Sequence, residues 1–180
     1  MIEDNEFIRM DNVPITKEEI RAVSIGKLQL NNNDIVVDVG CGSGGMTVEI
    51  AKRCKFVYGI DLEEDAINTT LKNISKFNIN NTKILKGDAG KLLNEIKFNK
   101  LFVGGTKNIE NILSIAFKKN IKHIVINTIV INNTVKICNI LEKNNYNIEL
   151  VNVTISTSKK IKAGYMMISK NPIYIIKATK

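Results

Sequence analysis

Between Ile35 and Gly45 the chain reads Ile-Val-Val-Asp-Val-Gly-Cys-Gly-Ser-Gly-Gly. A β-branched run (Ile35, Val36, Val37, Val39) gives way to glycines and then to an amphipathic segment with Met46, Val48, Ile50 and Ala51. That order predicts a buried strand, a tight loop and a helix start. Gly40, Gly42 and Gly44 form G-x-G-x-G, with Asp38 two residues ahead of the first glycine. A dinucleotide site prefers G-x-G-x-x-G and seats a pyrophosphate over the helix N-terminus. Gly45 completes that looser pattern too, so the glycines alone do not choose the cofactor. Asp38 does. A carboxylate there opposes a pyrophosphate and suits a ligand with a cationic end, such as the ammonium and sulfonium of S-adenosylmethionine. Gly40, Cys41, Gly42, Ser43 and Gly44 are then the loop residues expected against the ligand.

Two further strand ends support this. Phe56-Val57-Tyr58-Gly59-Ile60 ends at Asp61, about 20 residues past the loop, where a carboxylate can accept both ribose hydroxyls. Lys83 to Lys86 ends in Gly87-Asp88-Ala89, where an acidic side chain can meet an adenine amino group. An ordinary α/β domain with glycine turns explains one loop more readily than three strand ends facing one crevice.

The elements that position these residues follow from periodicity. Residues 1 to 15 look irregular. Thr16-Lys17-Glu18-Glu19 reads as a capping box, with Thr16 as N-cap of a helix ending near Leu30. Five strand–helix units then run to about Asn144. Asn147 to Ser156 and Ile173 to Ala178 are two last strands without a helix between them. Thr157 to Gly164, with Lys159, Lys160 and Lys162, reads as a basic loop. The expected architecture is α/β, a doubly wound, mostly parallel sheet closed by a C-terminal antiparallel hairpin. No repeat or linker marks a boundary, so residues 1–180 are expected to form a single domain.

Composition narrows the function classes. The 180 residues carry 26 Lys and Arg against 18 Asp and Glu, a net charge of +8, which favours anionic partners. A dispersed, solvated lysine surface explains the same number. No apolar run spans a bilayer and the N-terminus is acidic, so no membrane partner is expected and the cytoplasm is the expected location. Cys41, Cys54 and Cys138 form no CxxC pair and read as reduced thiols, with no metal site. His123, the single histidine, lies in an apolar run and reads as structural, which disfavours a Ser-His-Asp triad.

The layout resembles the class I S-adenosylmethionine-dependent methyltransferases, whose Rossmann-like sheet has seven strands. Asp38 to Gly44 matches their first motif, Asp61 their ribose-binding acid, and Asp88 with Ala89 their adenine-side motif. A closer resemblance, over nearly the whole chain, is to the cobalt-precorrin-6B C(15)-methyltransferase (decarboxylating) family of cobalamin biosynthesis. It rests on Ile2 to Ile8, Val13 to Arg21, Asp38 to Gly45, Tyr58 to Asp61, Gly87-Asp88-Ala89, Val103-Gly104-Gly105 and Gly164 to Pro172. The resemblance implies methylation at carbon 15 of a cobalt-precorrin, an anionic tetrapyrrole, with loss of the ring C acetate carboxyl. It also implies a homotetramer, and a cofactor contact from Thr16.

At the fourth strand's end the chain reads Val103-Gly104-Gly105-Thr106, without the Asn/Asp-Pro-Pro-Tyr/Phe of many nitrogen methyltransferases. Gly104 and Gly105 leave an open wall that suits a flat macrocycle and a carbon nucleophile. No dedicated catalytic side chain is expected, because a conjugated ring supplies electron density itself. Lys159, Lys160 and Lys162 are the candidate substrate cations, with Arg21 and Lys107 behind them. A solvated basic loop is the competing reading of the three. An RNA methyltransferase also explains the charge, but 6% aromatic residues and no tryptophan offer few stacking platforms. A non-catalytic nucleotide- or partner-binding module is the third reading, disfavoured by the intact Asp38, Asp61 and Asp88.

Overall fold

The computed structural model describes residues 1–180. A seven-stranded sheet forms its centre. β1 (Ile35–Val39), β2 (Phe56–Asp61), β3 (Thr82–Lys86), β4 (Lys100–Val103) and β5 (His123–Thr128) pair in parallel. β9 (Ile173–Thr179) inserts antiparallel between β5 and β6 (Asn147–Val153), giving the order β3-β2-β1-β4-β5-β9-β6. The chain leaves β1 towards β2 and β3, then returns to place β4 on the other side. That reversal opens a crevice beyond the C-terminal ends of β1 and β4, where doubly wound sheets bind ligands.

Both faces of the sheet are covered, so its central strands are mostly apolar. Adjacent side chains point to opposite faces. Val36, Phe102 and Val125 pack with Ile20 and Leu28 of α1 (Glu18–Leu28) and Met46 and Ile50 of α2 (Gly45–Ala51). Val37, Leu101 and Ile124 join the larger cluster on the other face. There they meet Leu113 of α5 (Ile109–Lys118) and Ile137 and Leu141 of α6 (Ile131–Lys143). α3 (Glu64–Lys76) flanks β2 and β3, and the single turn of α4 (Ala89–Leu92) follows β3. No helix is long and apolar enough to cross a membrane.

Two local expectations are corrected. The capping box does not form: Lys17, not Thr16, is the N-cap of α1, and it makes no side-chain cap bond. The Thr16 carbonyl accepts from Arg21 Nη1 at 2.6 Å. The second correction concerns the expected basic loop. Ser156–Ile161 (β7) and Gly164–Ser169 (β8) pair antiparallel as a separate two-stranded arm, exposed along almost its whole length. Its base is closed by Lys170 N–H donating to the Ile155 carbonyl at 2.9 Å.

The irregular first 16 residues form a strap. Ile2 N–H donates to Glu49 at 2.7 Å, and Ile8 N–H to Asn73 at 2.7 Å. Arg21 has no exposed surface. Its guanidinium bonds Asp4 at 2.7 Å and the carbonyls of Thr16 and Ile2, and stacks 4.8 Å from the Phe7 ring. One buried cation thus gathers both ends of the strap.

Candidate active site

The glycine loop between β1 and α2 has little freedom to be anything else. Gly40, Gly42 and Gly44 have φ of +76°, +56° and +84°, a region that costs other residues energy. Space adds a second constraint at Gly42, where a Cβ would lie 2.7 Å from the Pro14 carbonyl oxygen. That carbonyl also accepts Ser43 N–H at 3.1 Å, so the strap is laced directly onto the loop. At Gly40 a Cβ would stand 3.0 Å from Gly105 N, which brings the β1 and β4 loops into close approach.

The three acids take different places. Asp61, at the tip of β2, accepts Gly42 N–H on Oδ2 at 2.9 Å and Glu63 N–H on Oδ1 at 3.1 Å. Its remaining lone pairs can accept hydroxyl protons. Asp88 caps α4, accepting Gly90 N–H on Oδ1 at 2.7 Å, while Oδ2 accepts from Asn108 at 3.3 Å. Asp38 is fully buried. Thr47 donates to its Oδ2 at 2.5 Å, and Oδ1 has no partner. Burial, with the Asp61 charge adding, pushes its carboxyl up to about 7 against the opposing Thr47 bond. Burial also pushes the Cys41 thiol upward, which leaves it a poor nucleophile.

The crevice divides into two compartments. The smaller, about 280 Å³, lies over β1, β2 and β3 and is lined by Asp61, Glu63, Gly87, Asp88, Ala89 and Lys107 among others. The larger, about 510 Å³, extends over β5, β9 and β6. Thr16, Ile20, Thr128, Val153 and Ile173 contribute to its wall. Pro14, Gly40, Gly42, Gly104 and Gly105 line both and form the boundary. The charges differ in sign. The smaller compartment holds Asp61, Glu63 and Asp88 against Lys107. The larger has Lys17 and Lys170 and no acidic residue.

Most residues expected from sequence meet here. Gly40, Gly42, Asp61, Asp88, Ala89, Gly104, Gly105 and Lys107 line the smaller compartment; Thr16 and Cys41 line the larger. Asp38 in β1 and Ser43 and Gly44 at the loop's far end are outside both linings. Arg21 is sealed inside the strap. Lys159, Lys160 and Lys162 are not brought to the cavity. Lys159 pairs with Met166 four residues along the arm from Ile155, and at strand rise that is roughly 13 Å from the arm's base. Sequence reading missed Lys17, Lys170, Asn171, Asn127 and Thr128, which all line the larger compartment. Asn127 is buried and exchanges hydrogen bonds with Ser24 of α1 at 2.9 and 3.2 Å. His123 sits at the opposite end of β5, with Nε2 2.8 Å from the Lys27 carbonyl and its pKa lowered chiefly by burial.

Comparison with known proteins agrees with this geometry. A protein of Methanocaldococcus jannaschii, named probable cobalt-precorrin-6B C(15)-methyltransferase (decarboxylating), is 63% identical over 180 residues. The match covers 100% of this chain and 98% of the relative. A Saccharolobus solfataricus protein of the same name is 40% identical over 189 residues, covering 99% and 95%. Among solved structures, precorrin 8W decarboxylase from Methanobacterium thermoautotrophicum matches with a TM-score of 0.94 at 31% identity, over 100% of both chains. Precorrin-6y C5,15-methyltransferase from Geobacter metallireducens matches at 0.92 and 27%, over 100% and 98%. The sequence model of the precorrin methyltransferase domain matches residues 7–180. With the methyltransferase sheet order, the glycine loop and these matches together, the chain belongs to the precorrin methyltransferase domain family.

Proposed function

We propose that this protein transfers a methyl group from S-adenosylmethionine to carbon 15 of cobalt-precorrin-6B and releases the ring C acetate carboxyl as carbon dioxide. The observation that carries this reading is the opposite charge of two compartments joined at a glycine wall. An acidic compartment with two strand-end carboxylates suits a hydroxyl-bearing nucleoside attached to a cationic group. A larger, cationic compartment with eight hydrophobic lining residues suits a flat macrocycle with peripheral carboxylates. The names of the relatives point to the same substrate.

When bound, S-adenosylmethionine supplies an electrophilic methyl group on a sulfonium. The chain's own residues do the positioning. Asp61 and Asp88 are held by backbone N–H groups, so their free lone pairs are fixed before a ligand arrives. The five residues shared by both compartments carry no titratable side chain. The boundary between the compartments is therefore backbone and proline, and at Gly40 and Gly104 the β1 and β4 loops approach too closely to admit side chains. Catalysis rests on alignment and exclusion of water. On decarboxylation the carbon–carbon bond breaks, its electron pair enters the conjugated ring, and the former acetate carbon takes a proton.

The assembly we propose is a homotetramer. The arm's Tyr165 and Met167 are exposed on one face and Met166 and Ile168 on the other, Tyr165 at 72%, and a second copy would cover them. The three free cysteines fit a reducing compartment, and we place the protein in the cytoplasm. We read residues 1–180 as one domain, since Pro14 and Ile173 line one cavity.

Methyl-labelled S-adenosylmethionine offered with cobalt-precorrin-6B or RNA tests the reaction. Label in the tetrapyrrole with release of one carbon dioxide per methyl is expected. Label in RNA, or transfer to neither, overturns the reading.

A further inference from the structure

We propose that Lys17 and Lys170 are the cationic anchors that set specificity for a carboxylate-bearing substrate in the larger compartment. This rests on the tetrapyrrole reading above and names the residues that would enforce it. The two lysines are the only charged residues among the 20 that line this compartment. They reach it from distant parts of the chain. Lys17 is the N-cap of α1, next to Thr16 and the strap. Lys170 follows β8 at the base of the arm, where β9 is about to begin.

Their tethers differ. Lys17 Nζ lies 3.4 Å from Asp4 Oδ2, and Asp4 also holds the buried Arg21. Asp4 thus biases Lys17 towards the strap, and the ammonium still has protons to donate to a ligand. The Lys170 ammonium has no carboxylate within 4.0 Å, so it can pair fully with a ligand. Between them the wall offers only neutral polar groups, Thr106, Asn127, Thr128 and Asn171, and apolar surface. A ligand carboxylate placed here has two cations to choose from and meets no acid that repels it. Lys159, Lys160 and Lys162 stand on the arm, beyond the cavity lining, and have no part in this recognition.

The test uses uroporphyrin III, a stable tetrapyrrole with eight carboxylates, as the binding probe, and S-adenosylhomocysteine as the probe of the neighbouring compartment. Each of Lys17→Gln and Lys170→Gln is expected to weaken uroporphyrin binding roughly fivefold. The double variant should also flatten its salt dependence. S-adenosylhomocysteine affinity should stay within twofold in all of them. With cobalt-precorrin-6B the variants should raise KM and leave kcat nearly unchanged, as loss of uniform binding requires. Neutralising Lys159, Lys160 and Lys162 together should leave uroporphyrin affinity as it was. If the double variant binds uroporphyrin as tightly as the natural protein, the anchors are wrong and the substrate reading stands. If the natural protein binds S-adenosylhomocysteine but no carboxylated tetrapyrrole, the substrate reading falls and the anchors fall with it. Should Lys17→Gln disturb the strap through Asp4, Lys170→Gln alone decides, since Lys170 has no structural ion pair.

Discussion

Gly42 donates its backbone N–H to the Asp61 carboxylate at 2.9 Å, and so ties the tip of β2 to the glycine loop across 19 residues of sequence. Asp61 is therefore oriented before it meets any hydroxyl. Asp61→Asn keeps an oxygen that can accept from Gly42 but loses the charge. Hydrogen bonds to a charged group contribute about 1.5–3 kcal/mol, so S-adenosylhomocysteine binding should weaken by roughly 10- to 100-fold. Calorimetry on the folded variant measures this. An affinity within threefold of the natural protein would mean that Asp61 does not hold the sugar.

Gly42→Ala should act through backbone and neighbour together. Its φ of +56° disfavours a side chain by about 1–2 kcal/mol, and the new Cβ would press on the Pro14 carbonyl. Because Pro14 lines both compartments, affinity for both ligands should fall. Gly105→Ala is the control for the same wall, since a Cβ there meets nothing within 4 Å. It should leave the melting temperature nearly unchanged.

Arg21→Met should loosen the strap. Removing the guanidinium leaves Asp4 without its main partner and the Ile2 and Thr16 carbonyls without donors. Asp4 is 26% exposed and keeps Lys17 at 3.4 Å, so the cost should stay below the roughly 3 kcal/mol of a fully buried pair. The variant should melt earlier, and protease should cut within the first 16 residues before the rest. Equal resistance of that segment in both proteins would remove the clamp from the account.

The buried Asp38 should shape stability against pH. Its carboxyl is pushed up from 3.8 to about 7 in the folded chain, so between those values the folded state binds the proton more tightly. Stability from this group falls as pH rises from about 4 to 7, and the full cost remains above 7. Asp38→Asn should lose that slope. Denaturant melts at pH 5 and pH 8 should therefore show a smaller loss for the variant than for the natural protein. Parallel losses would mean that Asp38 is ionised throughout this range. His123 acts in the other direction: its lowered pKa favours folding above about 6.5 and withdraws that support as pH falls.

Replacing Tyr165 and Met167 together with serine should reduce the assembly to a smaller species, with S-adenosylhomocysteine affinity retained. Light scattering after gel filtration reads the mass. An unchanged tetramer would show that the arm is not its contact, and a monomeric natural protein would end the tetramer reading itself.

Much of this site was legible in the sequence because each part is local. Asp61 follows a strand-like run, Asp88 follows another, and the glycines stand where a strand must turn sharply into a helix. The arm was not legible. Ser156 to Ile161 shows no buried face, so no period of two marks it as a strand. Thr16 does not cap α1; its carbonyl is bonded by Arg21, five residues later, a contact that a four-residue pattern does not contain. Lys17 and Lys170 are separated by most of the chain. Only the insertion of β9 beside β5 brings their segments to one cavity.

The division of the crevice also orders the protein's birth. Every residue that lines the acidic chamber has been joined to the chain once Ile112 is made, whereas the cationic chamber lacks a wall until Ile173. The acceptor's seat is thus completed some sixty codons after the last residue of the donor's.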